Sequence, residues 1–159
     1  MLSMGLYLCM HIAFWAQDPE PPRLCFSGKT EYTVDRILDG RTVLLDRNGS
    51  KLKVKLMGVK TEPLHGPKDH GKEAKKFLVN LLKGEKVYVE YDKSSKDQDE
   101  FGTTMAYLHR APDGLFVNLE IVRQGYGRVA SKVMFRHFSI FKSYEAKAMK
   151  VQKGIWASK

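Results

Sequence analysis

Between Asp39 and Pro63 the chain gathers side chains suited to phosphate chemistry: Arg41, Lys53, Lys55 and Lys60, with Lys51 at their edge and the carboxylates Asp39 and Glu62 among them. Lysine and arginine neutralise phosphate charge and hold a polyanion by its backbone, which gives affinity without a sequence code. The carboxylates suit either of two roles. Asp39 precedes Gly40 and fits a turn, and Glu62 precedes Pro63 in a polar loop, where a carboxylate is either solvated or available to a ligand. His65 and His70 are five apart in the Gly/Pro-rich stretch 64–71 with no third ligand nearby, so that stretch reads as a solvated loop. Cys9 and Cys25 show no metal-ligand spacing and require no disulfide framework.

The elements that must position these residues are β-strands. Val34, Arg36 and Leu38 alternate with Asp35 and Ile37, and Asp39-Gly40 breaks the run. Thr42 to Leu45 follows, then Asn48-Gly49, a pair that tolerates positive φ and signals a hairpin. Leu52, Val54 and Leu56 then alternate with Lys51, Lys53 and Lys55, so a period of two sets the apolar side chains inward and the lysines on the opposite, wet face.

Further on, Ala74, Phe77, Leu78, Leu81 and Leu82 predict an amphipathic helix over 72–82, closed by Gly84. Strands are expected at 86–90, with Val87 and Val89 inward, and at 103–110, separated by a charged, mobile loop over 92–100. A short helix over 118–124 ends at Gly125. The spacing of Phe141, Tyr144, Ala148, Val151 and Ile155 predicts a last helix over 139–153, with Trp156 tucked against the barrel. Five short strands with a helix between the third and fourth and two helices behind give an α+β fold, a five-stranded OB-type barrel with about three helices.

The chain of 159 residues suits one domain plus an appendage. Its formal net charge of +9 lies entirely beyond residue 30, where 25 basic side chains face 16 acidic ones. That surface favours polyanions, nucleic acid before anionic lipid. Residues 1–16 carry no charge beyond a proton on His11. A basic n-region is missing and Phe14 suits a cleavage site poorly, while 16 residues fall short of the roughly 20 that span a bilayer. A secretion signal, a membrane anchor and a wrongly assigned start all stay open, and with them the compartment. The proline-rich run 17–22 is a stiff linker, which places the boundary near residue 28 and the domain at 29–159.

The order LDGRTV, VKLMGVKTEP, GKEAKKFL, FGTTMAYL, DGLFVNLEIVRQGYG and EAKAMKVQKGIW resembles the staphylococcal nuclease superfamily over about residues 32–157. Each motif alone is weak, and six in register are specific. Active members of that family cut phosphodiester bonds with a bound calcium ion, using carboxylates to hold the ion and direct water and two guanidiniums to clamp the phosphate. The resemblance maps one calcium ligand onto Arg41 and a second onto Lys60. Thr61, which would lend a carbonyl, is kept. The water-directing glutamate falls on Pro63, because Glu62-Pro63 is reversed relative to the pattern. The two arginines fall on Lys55 and Thr103, with Phe101 in a tyrosine's place, and the aromatics that hold the base fall on Ser131 and Val133.

Two anions replaced by two cations shift the local charge by about four units, and cations a few ångströms apart repel by roughly 1–4 kcal/mol at surface-like dielectric. Losing one transition-state stabiliser of this class costs about 10²–10³ in rate, and such losses compound. The expectation is a catalytically degenerate domain with no metal and no cofactor, calcium included. It binds single-stranded RNA, DNA or another polyanion through Arg41, Lys53, Lys55 and Lys60. Two alternatives stay open. One is a protein-interaction scaffold, tethered to a membrane through residues 1–16. The other is an active nuclease that recruits Asp39 and Glu62.

Overall fold

The computed structural model describes residues 29–111, 113–132 and 134–157. The apolar stretch 1–16, the proline linker, both cysteines and Val133 lie outside the described residues. Among the described residues, no helix is long and apolar enough to cross a membrane.

Strand β1 (Glu31–Ile37) pairs antiparallel with β2 (Thr42–Arg47), which pairs with β3 (Ser50–Leu56). The β2–β3 turn is Asn48-Gly49 at φ 53° and 86°, with the Gly49 amide donating to Asp46 Oδ1 at 3.2 Å. After β4 (Val59–Lys60) and helix α1 (His70–Leu82), β5 (Lys86–Glu90) adds to the free edge of β1, and β6 (Thr104–Ala111) adds to β5. β3 and β6 then pair in parallel, Val54 opposite Thr104. That ladder closes a five-stranded mixed barrel of β1, β2, β3, β5 and β6.

The barrel interior is filled by side chains the alternation singled out. Val54, Leu56 and Val87 are fully buried, as are Val43 and Leu45 of β2; each such side chain contributes about 1.5–3 kcal/mol. The alternation in β1 needs one correction. A bulge between Val34 and Arg36 adds a residue to that strand, so Val34 packs on the core and so does Ile37, while Arg36 is exposed. A bulge shifts the pleat by one and reverses the faces beyond it.

α1 lays Ala74, Leu78 and Leu82 against the barrel, and Phe77 stacks on Tyr126 with centroids 4.5 Å apart. It starts at His70, so that histidine, expected in the loop, opens the helix and faces Glu73. β7 (Leu115–Phe116) leads into α2 (Val117–Arg123), β8 (Arg128–Val129) and α3 (Phe138–Lys150). Phe141, Tyr144 and Ala148 form the buried stripe of α3. The stripe does not extend to Val151, which is 61% exposed, because the helix ends at Lys150 and Gln152 takes φ 52°.

Two of the motifs meet in space. Gly125 and Gly154 lie backbone to backbone: a Cβ on Gly125 would sit 2.3 Å from Lys153 O, and one on Gly154 would sit 2.2 Å from Gly125 O. Both have positive φ, and the Ile155 amide donates to Gly125 O at 2.9 Å. Only glycine admits that approach. It seats the 3-10 turn Gly154–Trp156 beside the end of α2 and the start of β8.

Candidate functional site

Two two-residue strands, β4 and β8, form a separate antiparallel ribbon beside the barrel, with Val59 opposite Val129 and Lys60 opposite Arg128. A buried asparagine sets the approach to it. Asn118 Nδ2 donates to Met57 O at 3.0 Å and to Ala106 O at 3.1 Å, and its Oδ1 accepts from the Leu108 amide at 2.9 Å. This one side chain satisfies three backbone groups and ties the turn from β3 into β4 to β6, the strand of the barrel's closing ladder. On the other side, Glu145 Oε1 accepts from the Val129 amide at 2.8 Å, so α3 fixes β8. The Ala130 amide donates to Gly58 O at 2.9 Å and extends the ribbon by one step.

Arg41 reaches this ribbon from the β1–β2 turn. Its amide donates to Asp39 Oδ1 at 2.8 Å, and its guanidinium donates to Val59 O at 3.4 Å. Asp39 is thereby engaged in the turn. Lys60 is exposed on β4, and Arg128 is exposed across from it with its guanidinium 4.5 Å over the Trp156 ring. The fold therefore brings Arg41 and Lys60 together and adds Arg128.

Lys55 and Lys53 are placed differently. Lys55 was expected on a wet strand face, but its side chain is only 22% exposed and its ammonium lies 2.7 Å from Asp99 Oδ2. The other oxygen of Asp99 accepts from the amides of Phe101 at 3.0 Å and Thr103 at 2.8 Å. The Lys55 ammonium and these donors hold the Asp99 carboxyl below the usual carboxylate range, with burial working against them. The two positions that the resemblance assigns to phosphate-clamping arginines are thus tied into a closed lysine–aspartate turn, with Phe101 projecting 80% exposed beside it. Lys53 stands exposed in mid-strand, opposite Leu44, and Lys51 is shared between Asp35 at 3.1 Å and Asp46 at 2.7 Å.

Glu62 and Pro63 are both exposed in the loop before α1. Among the described residues, no three His, Cys, Asp or Glu side chains gather as metal ligands. The donor set does not fit a calcium ion: Arg41 and Lys60 are cationic and Asp39 is turned onto its own loop.

Beside the ribbon runs an open groove of about 960 Å³. Met57, Met105, Met134 and Phe135 form its apolar wall, and Lys93, Lys96 and Lys132 stand along its rim. The charged loop over 92–100 forms one side, and side chains near its two ends, Asp92 and Asp99, are hydrogen-bonded. Asp92 is 1% exposed and accepts from the Tyr107 hydroxyl, from the Ser94 amide and hydroxyl, and from the Arg136 amide. Desolvation alone would raise the Asp92 carboxyl; these donors outweigh it and hold the group far below the usual range.

The matches to known proteins agree with this architecture. The family model described as staphylococcal nuclease homologue matches residues 53–158. The chain belongs to the staphylococcal nuclease family. It is 31% identical over 130 residues to a thermonuclease of Staphylococcus intermedius, covering 79% of this chain and 75% of the relative. It is 29% identical over 137 residues to a thermonuclease of Staphylococcus hyicus, covering 83% and 79%. With endonuclease YncB of Bacillus subtilis it shares 28% identity over 131 residues, covering 79% of this chain and 61% of the relative. Membership in this family supports a nucleic-acid-related function. Two contributors to the site had no sequence signal tying them to it. Arg128 becomes a neighbour of Lys60 only through a ribbon joining distant parts of the chain, and Asp99 reads in sequence as one acid of a charged run.

Proposed function

We propose that this domain binds single-stranded nucleic acid, or another polyanion, through its basic face without calcium, and that it does not cleave it. One observation carries the reading: Arg41 and Lys60 stand at the positions where the family pattern has acids, and the Arg41 guanidinium bonds from the β1–β2 turn to the carbonyl of the residue before Lys60, with no cluster of ligand carboxylates among the described residues. The Lys55–Asp99 pair supports it, because a lysine already held by a carboxylate makes a poor substitute for a guanidinium that grips phosphate bidentately. The groove beside the ribbon has an apolar wall and Lys93, Lys96 and Lys132 along it, which suits a flexible strand at that end, while Asp99 and Glu100 on the same lining disfavour phosphates beside them.

Filter binding of the full chain to single-stranded RNA and DNA, with and without calcium, tests this. Binding should be independent of calcium. The slope of log K against log salt should be roughly −0.7 per phosphate neutralised, so about −2 to −3 for three or four contacts. Changing Arg41 and Lys60 together to Ala should flatten that slope by about two contacts for unrelated sequences. Changing Lys75 and Lys76 on the outer side of α1 removes the same charge and should not. Calcium-stimulated cleavage that copurifies with the folded chain and is lost in Glu62→Ala would refute the reading.

A further inference from the structure

We infer that Arg41, Lys60 and Arg128 form a clamp for a phosphomonoester, so that the domain prefers a strand carrying a terminal phosphate over one ending in hydroxyls. This rests on the polyanion-binding reading above and specifies where on the basic face the charge recognition is strongest.

The argument begins with an electrostatic anomaly. Lys60 and Arg128 are direct cross-strand partners in a ribbon only two residues long on each side. Like charges in that position destabilise a sheet. Several other cations have counter-charges: Lys51 has Asp35 and Asp46, Lys55 has Asp99, Lys86 has Glu31, Arg110 has Asp113, Arg136 has Glu90; isolated exposed lysines such as Lys53 and Lys132 have none among the described residues, but neither has a like charge as its cross-strand partner. Among the described residues Lys60, Arg128 and Arg41 have no ion-pair partner of this kind. The Arg41 guanidinium joins them through its bond to Val59 O, the residue before Lys60. The nearby carboxylates leave the charge in place, since Asp39 is engaged by the Arg41 amide and Glu62 is exposed without an ion pair among the described residues.

The cluster is also held in position. The Arg128 guanidinium carbon sits 4.5 Å from the centre of the Trp156 ring, a cation–π contact that holds the charge beside the indole. Trp156 is seated by the Gly125–Gly154 contact, and β8 by Glu145. Lys60 and Arg128 on the ribbon, with Arg41 bonded to it from the β1–β2 turn, offer two guanidiniums and an ammonium on neighbouring backbone before any ligand arrives.

Charge density selects the ligand. An internal phosphodiester carries one negative charge, whereas a phosphomonoester carries about 1.5 to 2 at neutral pH and presents three strong acceptor oxygens. Three cations on neighbouring backbone reward the second charge more than a track of separated lysines would. A 5′-phosphate, a 3′-phosphate and inorganic phosphate all present this group.

Fluorescence anisotropy of the full chain with one labelled oligonucleotide in three forms decides the matter: 5′-phosphate, 3′-phosphate, and hydroxyl at both ends. One phosphorylated form or both should bind about tenfold more tightly than the hydroxyl form, as expected for an added charge at surface-like dielectric, and inorganic phosphate should compete that advantage away. Lys60→Gln and Arg128→Gln should each remove the preference, weakening the phosphorylated forms by about tenfold more than the hydroxyl form. Trp156 acts as a positioning residue. Trp156→Phe should keep the preference and Trp156→Ala should weaken it, with circular dichroism confirming that both variants are folded. Equal affinity for all three forms would overturn the clamp and leave polyanion binding standing. Absence of binding to any form at low salt would remove both.

Discussion

Two charged regions of this domain follow opposite rules. In the first, Glu90, Asp92, His109, Arg136 and His137 lie where β5 and β6 meet the segment before α3, and each charge is met by a partner. Arg136 is bonded to Glu90 and to His137, His109 Nε2 lies 3.0 Å from Glu90 Oε2, and Asp92 accepts four hydrogen bonds. In the second, Arg41, Lys60 and Arg128 gather at the β4–β8 ribbon with backbone and indole contacts in place of carboxylates. The first region is satisfied from within the chain and holds the fold. The second has no carboxylate partner among the described residues, and its exposed charge is open to an anion from outside.

The comparison can be broken at its strongest point first. Asp92→Ala strands the Tyr107 hydroxyl and the Arg136 amide in a buried setting, and should cost about 3–5 kcal/mol in urea unfolding. Leu56→Ala, a core truncation with no charge involved, should cost about 2–5 kcal/mol. If Asp92→Ala cost no more than an ordinary surface change, the network would be ornamental and the contrast would fall.

An acid titration of stability sharpens the same contrast. His109 and His137 are held below the ordinary imidazole range, chiefly by burial, with Glu90 pulling His109 the other way and Arg136 adding to the shift of His137. Each therefore favours folding above the unfolded histidine value near about 6.5 and loses that contribution as pH falls through its depressed folded value. Asp92 and Asp99 extend the loss further into acid, since their folded values lie below the unfolded carboxylate range near about 3.9. Urea midpoints should thus fall from pH 7 toward 5, and His137→Gln should flatten that decline. A midpoint unchanged between pH 7 and 5 would contradict the assignment of neutral imidazoles at His109 and His137.

The smallest expected effect has the opposite sign. Lys60→Gln removes the cross-strand repulsion with Arg128 and should raise stability by about 0.2–1 kcal/mol, while lowering affinity for polyanions. A change that stabilises the fold and weakens binding would mark Lys60 as ligand-facing; loss of stability would move it into the first region.

Much of this architecture was legible in one dimension. The alternation over 52–56 put Val54 and Leu56 in the core, Asn48-Gly49 gave the hairpin, and the 3-4 spacing of Ala74, Leu78 and Leu82 gave α1, because strand pleat and helix pitch convert spacing directly into facing. Spacing says nothing about an inserted residue, so the β1 bulge was missed and Arg36 was set on the same face as Val34. It also says little about where a helix stops, which is why Val151 was counted with the buried stripe.

The residue types at the candidate site belong to the sequence alone: Arg41 and Lys60 stand where the family pattern has acids, and no folding changes their charge. Which cations remain available was decided by tertiary structure. Lys53, Lys55 and Lys60 look alike along the chain, yet Lys55 is covered and held by Asp99 from a distant turn, while Lys60 is set opposite Arg128 by a ribbon whose strands lie far apart in sequence. Coulomb energy depends on distance and solvent exposure, and for side chains brought together by long-range pairing neither quantity can be read from sequence order.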